Sequence, residues 1–243
     1  MILFIKIFLA HLFGDFLLQP NSWVANKIEK KQKSIFLYIH CILHGLLAWL
    51  FVFEKEFWIY AILIAITHGI IDLAKLQFQT ERSQRNWFII DQALHLAILI
   101  AATLLYQNSV ISLNSEATNQ LWTLGTAIIF LTKPTSILIK NMISIWTPDG
   151  NNNADHSLQN AGNYIGMLER LFILCFILIG HFEAIGFLLG AKSIFRFGDL
   201  RVARDRKLTE YVLIGTLLSF GIAIITGLLV QFFIQNFSVY FLD

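Results

Sequence analysis

The chain has 243 residues, of which 56% are hydrophobic and 14% charged, with 22 phenylalanines and a mean hydropathy of +0.65. That apolar share exceeds the roughly 45–50% usual in soluble domains and points to a membrane protein. The formal net charge of +2, with basic residues gathered in short segments between apolar runs, gives no cationic surface of the kind nucleic acid needs, so no nucleic-acid partner is expected.

Apolar runs of about 17–25 residues are long enough to cross a bilayer as helices. They occur at Ile2 to Leu18, Ile35 to Phe53, Phe57 to Leu76, Trp87 to Tyr106, Leu121 to Ile145, Tyr164 to Phe182, Ile185 to Phe197 and Tyr211 to Phe237. The expected fold is an all-α polytopic transmembrane bundle of about eight spans, with seven or nine as the neighbouring counts. It is read as one integral membrane domain over 1–243, with a four-helix half at 1–106 and a supporting, substrate-facing half at 121–243.

The first run resembles a secretory signal, because Lys6 precedes apolar sequence, but it lacks a small-x-small cleavage site and holds Asp15. It is therefore taken as a span. "TKPT", Thr132 to Thr135, interrupts the fifth run, and the seventh is short and polar-edged, so either is a candidate for a kinked or re-entrant segment. "NKIEKKQK", "TERSQR" and "RFGDLRVARDRK" are basic loops and are expected on the cytoplasmic side, which puts both termini outside. Cys41 and Cys175 lie in apolar runs without C-x-x-C spacing and read as small buried hydrophobes. In "PDGNNNADH", Asp149, Asn151, Asn153 and Asp155 alternate like the start of an EF-hand loop. Ala154 and Asn160 stand where such a loop needs glycine and glutamate, so calcium is not expected there.

The residues that carry chemistry are the ionisable ones inside the first four runs. Each run holds one pair at i, i+4: His11 and Asp15, His40 and His44, His68 and Asp72, Asp91 and His95. That spacing sets both side chains of a pair on one helix face, a turn apart. In an up-and-down arrangement each pair falls about four or five residues from the cytoplasmic end, at ~1.5 Å of rise per residue, so the pairs share one level. A charge near mid-bilayer costs about 2.5–3.5 kcal/mol on insertion scales. Three carboxylates and five imidazoles therefore need a partner.

Lys75 is the one cation within these runs at that depth, and about two divalent ions with a bridging hydroxide would balance the layer better. Imidazole and carboxylate without thiolate suit zinc first, with iron or manganese as alternatives. The candidate metal ligands are His11, Asp15, His40, His44, His68, Asp72, Asp91 and His95, with Gln19, Asn26 and Gln92 as groups that orient them. The bland readings are a proton or ion relay without metal and a purely structural hydrogen-bonded layer. His156 and His181 lie off this layer and read as structural.

Later runs place Glu169, Arg170, Lys192 and Arg196 near the cytoplasmic face, either as interhelical ion pairs or as a cationic edge that binds the anionic part of a substrate. "HLFGDFLLQP", "THGIIDLAK", "FIIDQALH", "GMLER" and "AKSIFRF" followed by "EYVLIGTLLS" together resemble an uncharacterised bacterial membrane-protein family, domain of unknown function 3307, over nearly the whole chain. The resemblance implies a multi-pass protein of the bacterial inner membrane and supplies no activity. Intramembrane metal-dependent hydrolases are a looser analogy of chemistry.

The leading expectation is a metal-dependent hydrolase of a lipid-linked or amphipathic substrate, with Asp15 or Asp91 as the base. Alternatives are a haem or diiron oxidoreductase and an ion or small-molecule transporter that uses the same layer.

Overall fold

A computed structural model describes residues 1–107, 116–147, 156–203 and 206–239, with side chains at 1–106, 118–147, 161–194 and 209–235. Every regular element among them is helical. Helix α1 (Ile2–Leu12) runs into a π-helical turn at Phe13–Leu17, followed by α2 (Asn21–Lys30), α3 (Ile35–Val52), α4 (Trp58–Phe78), α5 (Gln84–Gln107), α6 (Glu116–Leu131), α7 (Lys133–Met142), α8 (His156–Leu178), α9 (Phe182–Ala203) and α10 (Arg206–Val239). The chain divides into two compact units, Met1–Thr126 and Ala127–Asp243.

The all-helical expectation is met, but the span count is corrected. Ile35–Val52, Lys55–Phe78, Gln84–Tyr106, Ala161–Leu178 and Thr209–Gln235 are each long and apolar enough to cross a membrane. Ile2–Leu17 with Asn21–Lys33 and Thr118–Leu131 with Lys133–Trp146 reach that standard only as pairs, bent by 82° and 43°. Among the described residues the count is thus five to seven rather than eight. The expected seventh span, Ile185 to Phe197, runs past the described side chains of α9, which end at Ile194, and does not enter that count. The described parts of the "PDGNNNADH" segment begin at His156, so Asp149, Asn151, Asn153 and Asp155 lie outside the described residues.

In the first unit, α1, α3, α4 and α5 pack around a core of Leu3, Ile7, Ala48, Val52, Phe57, Ala61, Ile64, Leu99, Ala102 and Tyr106. The buried stripe of each helix then passes from apolar to polar: Leu3 and Ile7 lead to His11, Val52 and Ala48 to His44 and His40, Ile64 to His68 and Asp72, Leu99 to His95 and Asp91. Numbers rise toward the polar end in α1 and α4 and fall in α3 and α5, so the helices alternate in direction. A stripe with the period of a helix face carries the core and the site in series. The opposite faces are apolar and exposed, as at Ile42, Leu46, Ile62, Ile66, Ile100 and Leu104. Apolar outside and polar inside fits hydrocarbon surroundings rather than water.

The π-helical turn closes with Leu18 N–H donating to Phe13 C=O at 2.8 Å, and Pro20 in extended backbone starts the turn into α2. The wide turn ends α1 and swings α2 back, which is why the first apolar run does not continue straight.

In the second unit α8 packs on α10, with α7 against both and α9 against α8. Pro134 has no N–H for the carbonyl of Phe130, and the Thr135 hydroxyl takes that carbonyl at 2.6 Å instead. Arg170 then donates from Nε to Leu131 C=O at 2.6 Å, from one terminal nitrogen to Thr132 C=O at 3.2 Å and Ser136 Oγ at 2.6 Å, and from the other to Ser219 Oγ at 3.1 Å. A break that freed carbonyls in an apolar setting is thereby satisfied from α8.

Cys41 is half-buried and Cys175 is exposed, both as free thiols. The expectation that both are buried fails for Cys175, which faces outward from α8 rather than into the packed side of that helix.

Candidate functional site

The eight His and Asp residues from α1, the π-helical turn, α3, α4 and α5 meet in one layer of the first unit, and seven are buried while the Asp15 side chain is 11% exposed. Asp15 is the hub. Its Oδ1 lies 3.1 Å from His40 Nε2, 3.0 Å from His44 Nε2 and 3.6 Å from His68 Nε2, while Oδ2 lies 3.6 Å from His11 Nε2 and accepts from Gln92 Nε2 at 3.0 Å. His40 Nε2 and His68 Nε2 face each other at 3.1 Å. The rings stack as a column, His44 on His68 with centroids 3.7 Å apart and His68 on His95 at 4.0 Å.

Three groupings have ligand atoms within 4.8 Å of one another: His11, Asp15, His44 and His68; His40, His68 and Asp72; Asp72, Asp91 and His95. In the first of these, Asp15 Oδ1 lies 3.0 Å from His44 and 3.6 Å from His68 and Oδ2 lies 3.6 Å from His11, separations near the roughly 3.3 Å between ligand atoms that share an ion at ~2.0–2.1 Å. Among the described residues, His40 Nδ1, Asp91 Oδ1 and both ring nitrogens of His95 have no hydrogen-bond partner, His95 Nδ1 lying 3.8 Å from Asp91 Oδ2. Buried groups of this kind are seldom left unpaired, since each costs about 1–3 kcal/mol.

Gly14 makes the column possible. A methyl group there would fall inside the van der Waals shell of His44 Nε2 and Cε1. Gly14→Ala is expected to push the imidazole off Asp15 and to destabilise the protein by about 1–3 kcal/mol, as overpacking does. A thermal unfolding midpoint equal to wild type would contradict that.

The charge accounting differs from the expectation that Lys75 is the one available cation. Lys75 Nζ does bind Asp91 Oδ2 at 3.0 Å, but the bend after α1 also brings Lys27 Nζ to Asp72 Oδ2 at 2.7 Å. Two lysines against three carboxylates leave one formal negative charge with neutral imidazoles, less than the sequence alone implied. Lys27 belongs to the basic run "NKIEKKQK", which reads as a surface loop, so its only sequence signal was that Asp72 had no partner. Of the supporting amides, Gln92 bridges Asp15 and Asp91. Asn26 instead accepts from Ser34 Oγ at 2.8 Å, and Gln19 Nε2 is buried without a partner.

The model of a family described as "Protein of unknown function (DUF3307)" matches residues 3–124. The chain belongs to this family. The DUF3307 segment contains all eight His and Asp residues together with Gly14, Lys27, Lys75 and Gln92. It stops short of "GMLER", "AKSIFRF" and "EYVLIGTLLS", so the likeness expected over nearly the whole chain is established for its first half. No curated protein and no solved structure matches the chain.

Outside the DUF3307 segment, Lys192 Nζ and Glu169 Oε2 form an ion pair at 2.5 Å beside buried Arg170. The side chain of Arg196 lies outside the described residues, as does that of His156. His181 pairs with Glu183 at 2.9 Å in an exposed turn.

Proposed function

We propose that the chain is a multi-pass protein of a bacterial inner membrane whose His/Asp layer holds a divalent metal, zinc by ligand chemistry with iron or manganese as alternatives. We further propose that it acts as a metal-dependent hydrolase on a lipid-linked or amphipathic substrate. The observation that carries the metal reading is the convergence of His11, His44 and His68 on the two oxygens of Asp15 at 3.0–3.6 Å, with all four ligand atoms within 4.8 Å of one another. A divalent ion in such a site supplies a water of lowered pKa and polarises a phosphoryl or acyl oxygen.

The chain's own residues divide the remaining work. Asp15, with both oxygens engaged by imidazoles and Gln92, acts as a ligand. Asp91 is held through Oδ2 by Lys75 at 3.0 Å and Gln92 at 3.1 Å, while its Oδ1 has no partner. That oxygen is the place to accept a proton, so Asp91 is the base of choice. The tight stacking of His44, His68 and His95 leaves no slot for a porphyrin between these rings, which favours a bare ion over haem.

A second reading, a metal-free proton or ion path for transport, draws on one observation. Lys27, Asp72, His40 and Asp15 lie in series at 2.7, 3.8 and 3.1 Å, the middle separation longer than a hydrogen bond. Elemental analysis of the purified protein separates the two. The hydrolase reading expects about one zinc, iron or manganese per chain, lost in His44→Ala together with hydrolytic activity on phosphoester or acyl-ester lipids. Metal-free wild type that drives proton flux in proteoliposomes would replace it with the transport reading.

A further inference from the structure

The second unit contains an open cavity of about 450 Å³, within the size range of small-molecule sites, lined by residues of α7 and the turn after it, α8, α9 and α10. It is built wholly of residues beyond the DUF3307 segment. Its charge is unbalanced. Arg170 is 3% exposed and makes its hydrogen bonds to carbonyls and hydroxyls, with no carboxylate at ion-pair distance among the described residues. The one acidic side chain in the wall, Glu169, is already taken by Lys192. Lys140, exposed and also in the wall, adds a third cation, so the cavity carries two more positive charges than negative ones.

An uncompensated buried guanidinium is costly unless something anionic shares its surroundings. Access is also provided for. Gly166 stands 3.4 Å from a terminal nitrogen of Arg170 at the position a Cβ would take, so a longer side chain there would screen the guanidinium. Gly162 opens onto space with nothing within 4 Å. Ile139, Ile143 and Val212 add apolar surface to the wall, beside polar Asn163 and Thr216. A site whose wall combines cations with aliphatic side chains suits an anionic group attached to an apolar body.

We propose that this cavity binds a phosphate group, with Lys140, Lys192 and Arg170 supplying the positive field. The phosphate is carried on a lipid or arrives as a soluble ion. The proposal does not depend on the metal reading, because every residue in it belongs to the second unit and its test measures neither metal nor hydrolysis.

The test uses the full chain, purified in detergent, with phosphatidylglycerol, phosphatidylcholine or inorganic phosphate as probe. Native mass spectrometry is expected to show phosphatidylglycerol retained over phosphatidylcholine by about tenfold, a preference lost in Lys140→Gln/Lys192→Gln and in Gly162→Phe. The soluble source predicts instead no lipid preference, with inorganic phosphate raising the thermal midpoint of wild type and not of the variants. Should Lys192→Gln fail to fold because Glu169 loses its partner, Lys140→Gln and Gly162→Phe carry the test, since neither removes a described contact. Absence of both effects in wild type, or effects that persist unchanged in these variants, overturns the proposal.

Discussion

Asp15→Ala is expected to abolish metal retention in the first unit, lowering affinity by more than the roughly 10–100-fold typical when only an orienting group is lost. The reason is its position as hub. Four imidazoles lie within 3.6 Å of its carboxylate, so its removal takes away the charge and the geometry together. Asp15→Asn sharpens the test, because the amide keeps an acceptor for one imidazole but loses the negative charge and the second acceptor oxygen. If the layer is only a hydrogen-bonded core, Asp15→Asn will retain most of the stability and a chelator will not move the unfolding midpoint of wild type. If it is a metal centre, chelation of wild type at about 100 times the dissociation constant removes about 2.7 kcal/mol of stabilisation. The same chelator then leaves Asp15→Asn where it was. Elemental analysis beside thermal unfolding reads both outcomes.

Arg170→Met is expected to destabilise the second unit by about 1–3 kcal/mol, since it strands the Leu131 carbonyl, whereas the Thr132 carbonyl keeps the Ser136 N–H and hydroxyl, each at 3.2 Å. Methionine fills similar volume, so the loss reports on hydrogen bonding rather than on a cavity. Arg170→Lys should rescue little, because an ammonium cannot span acceptors on α6, α7 and α10 as a planar guanidinium does. Metal content is expected to be unchanged, which separates this brace from the His/Asp layer. A wild-type midpoint in Arg170→Met would show that the break at Pro134 is satisfied by other means.

The two substitutions mark how far the chain could be read before its folding was known. His11 with Asp15, and the three matching pairs, were legible because helical spacing fixes which side chains share a face and charged groups in apolar runs have few explanations. The interruption at "TKPT" was legible too, because proline lacks an N–H wherever it stands. What closes that interruption was not. Arg170 lies 38 residues from Thr132, and no linear pattern shows that it donates to Leu131, Thr132, Ser136 and Ser219. The count of spans failed for a related reason. Hydropathy sums over a window and is blind to a bend, so the 82° turn after Leu17 was invisible.

By itself, then, the sequence determined a helix-forming apolar chain with one pair of His or Asp residues in each of its first four apolar runs, because composition, period and i, i+4 spacing are local properties. Only the tertiary structure decided that Asp15 is the hub, that Lys27 returns to Asp72, and that one negative charge rather than two or three is left over. Those facts depend on where a backbone turns between helices, and the π-helical turn at Phe13–Leu17 and the extended Pro20 set that direction through contacts no linear pattern encodes.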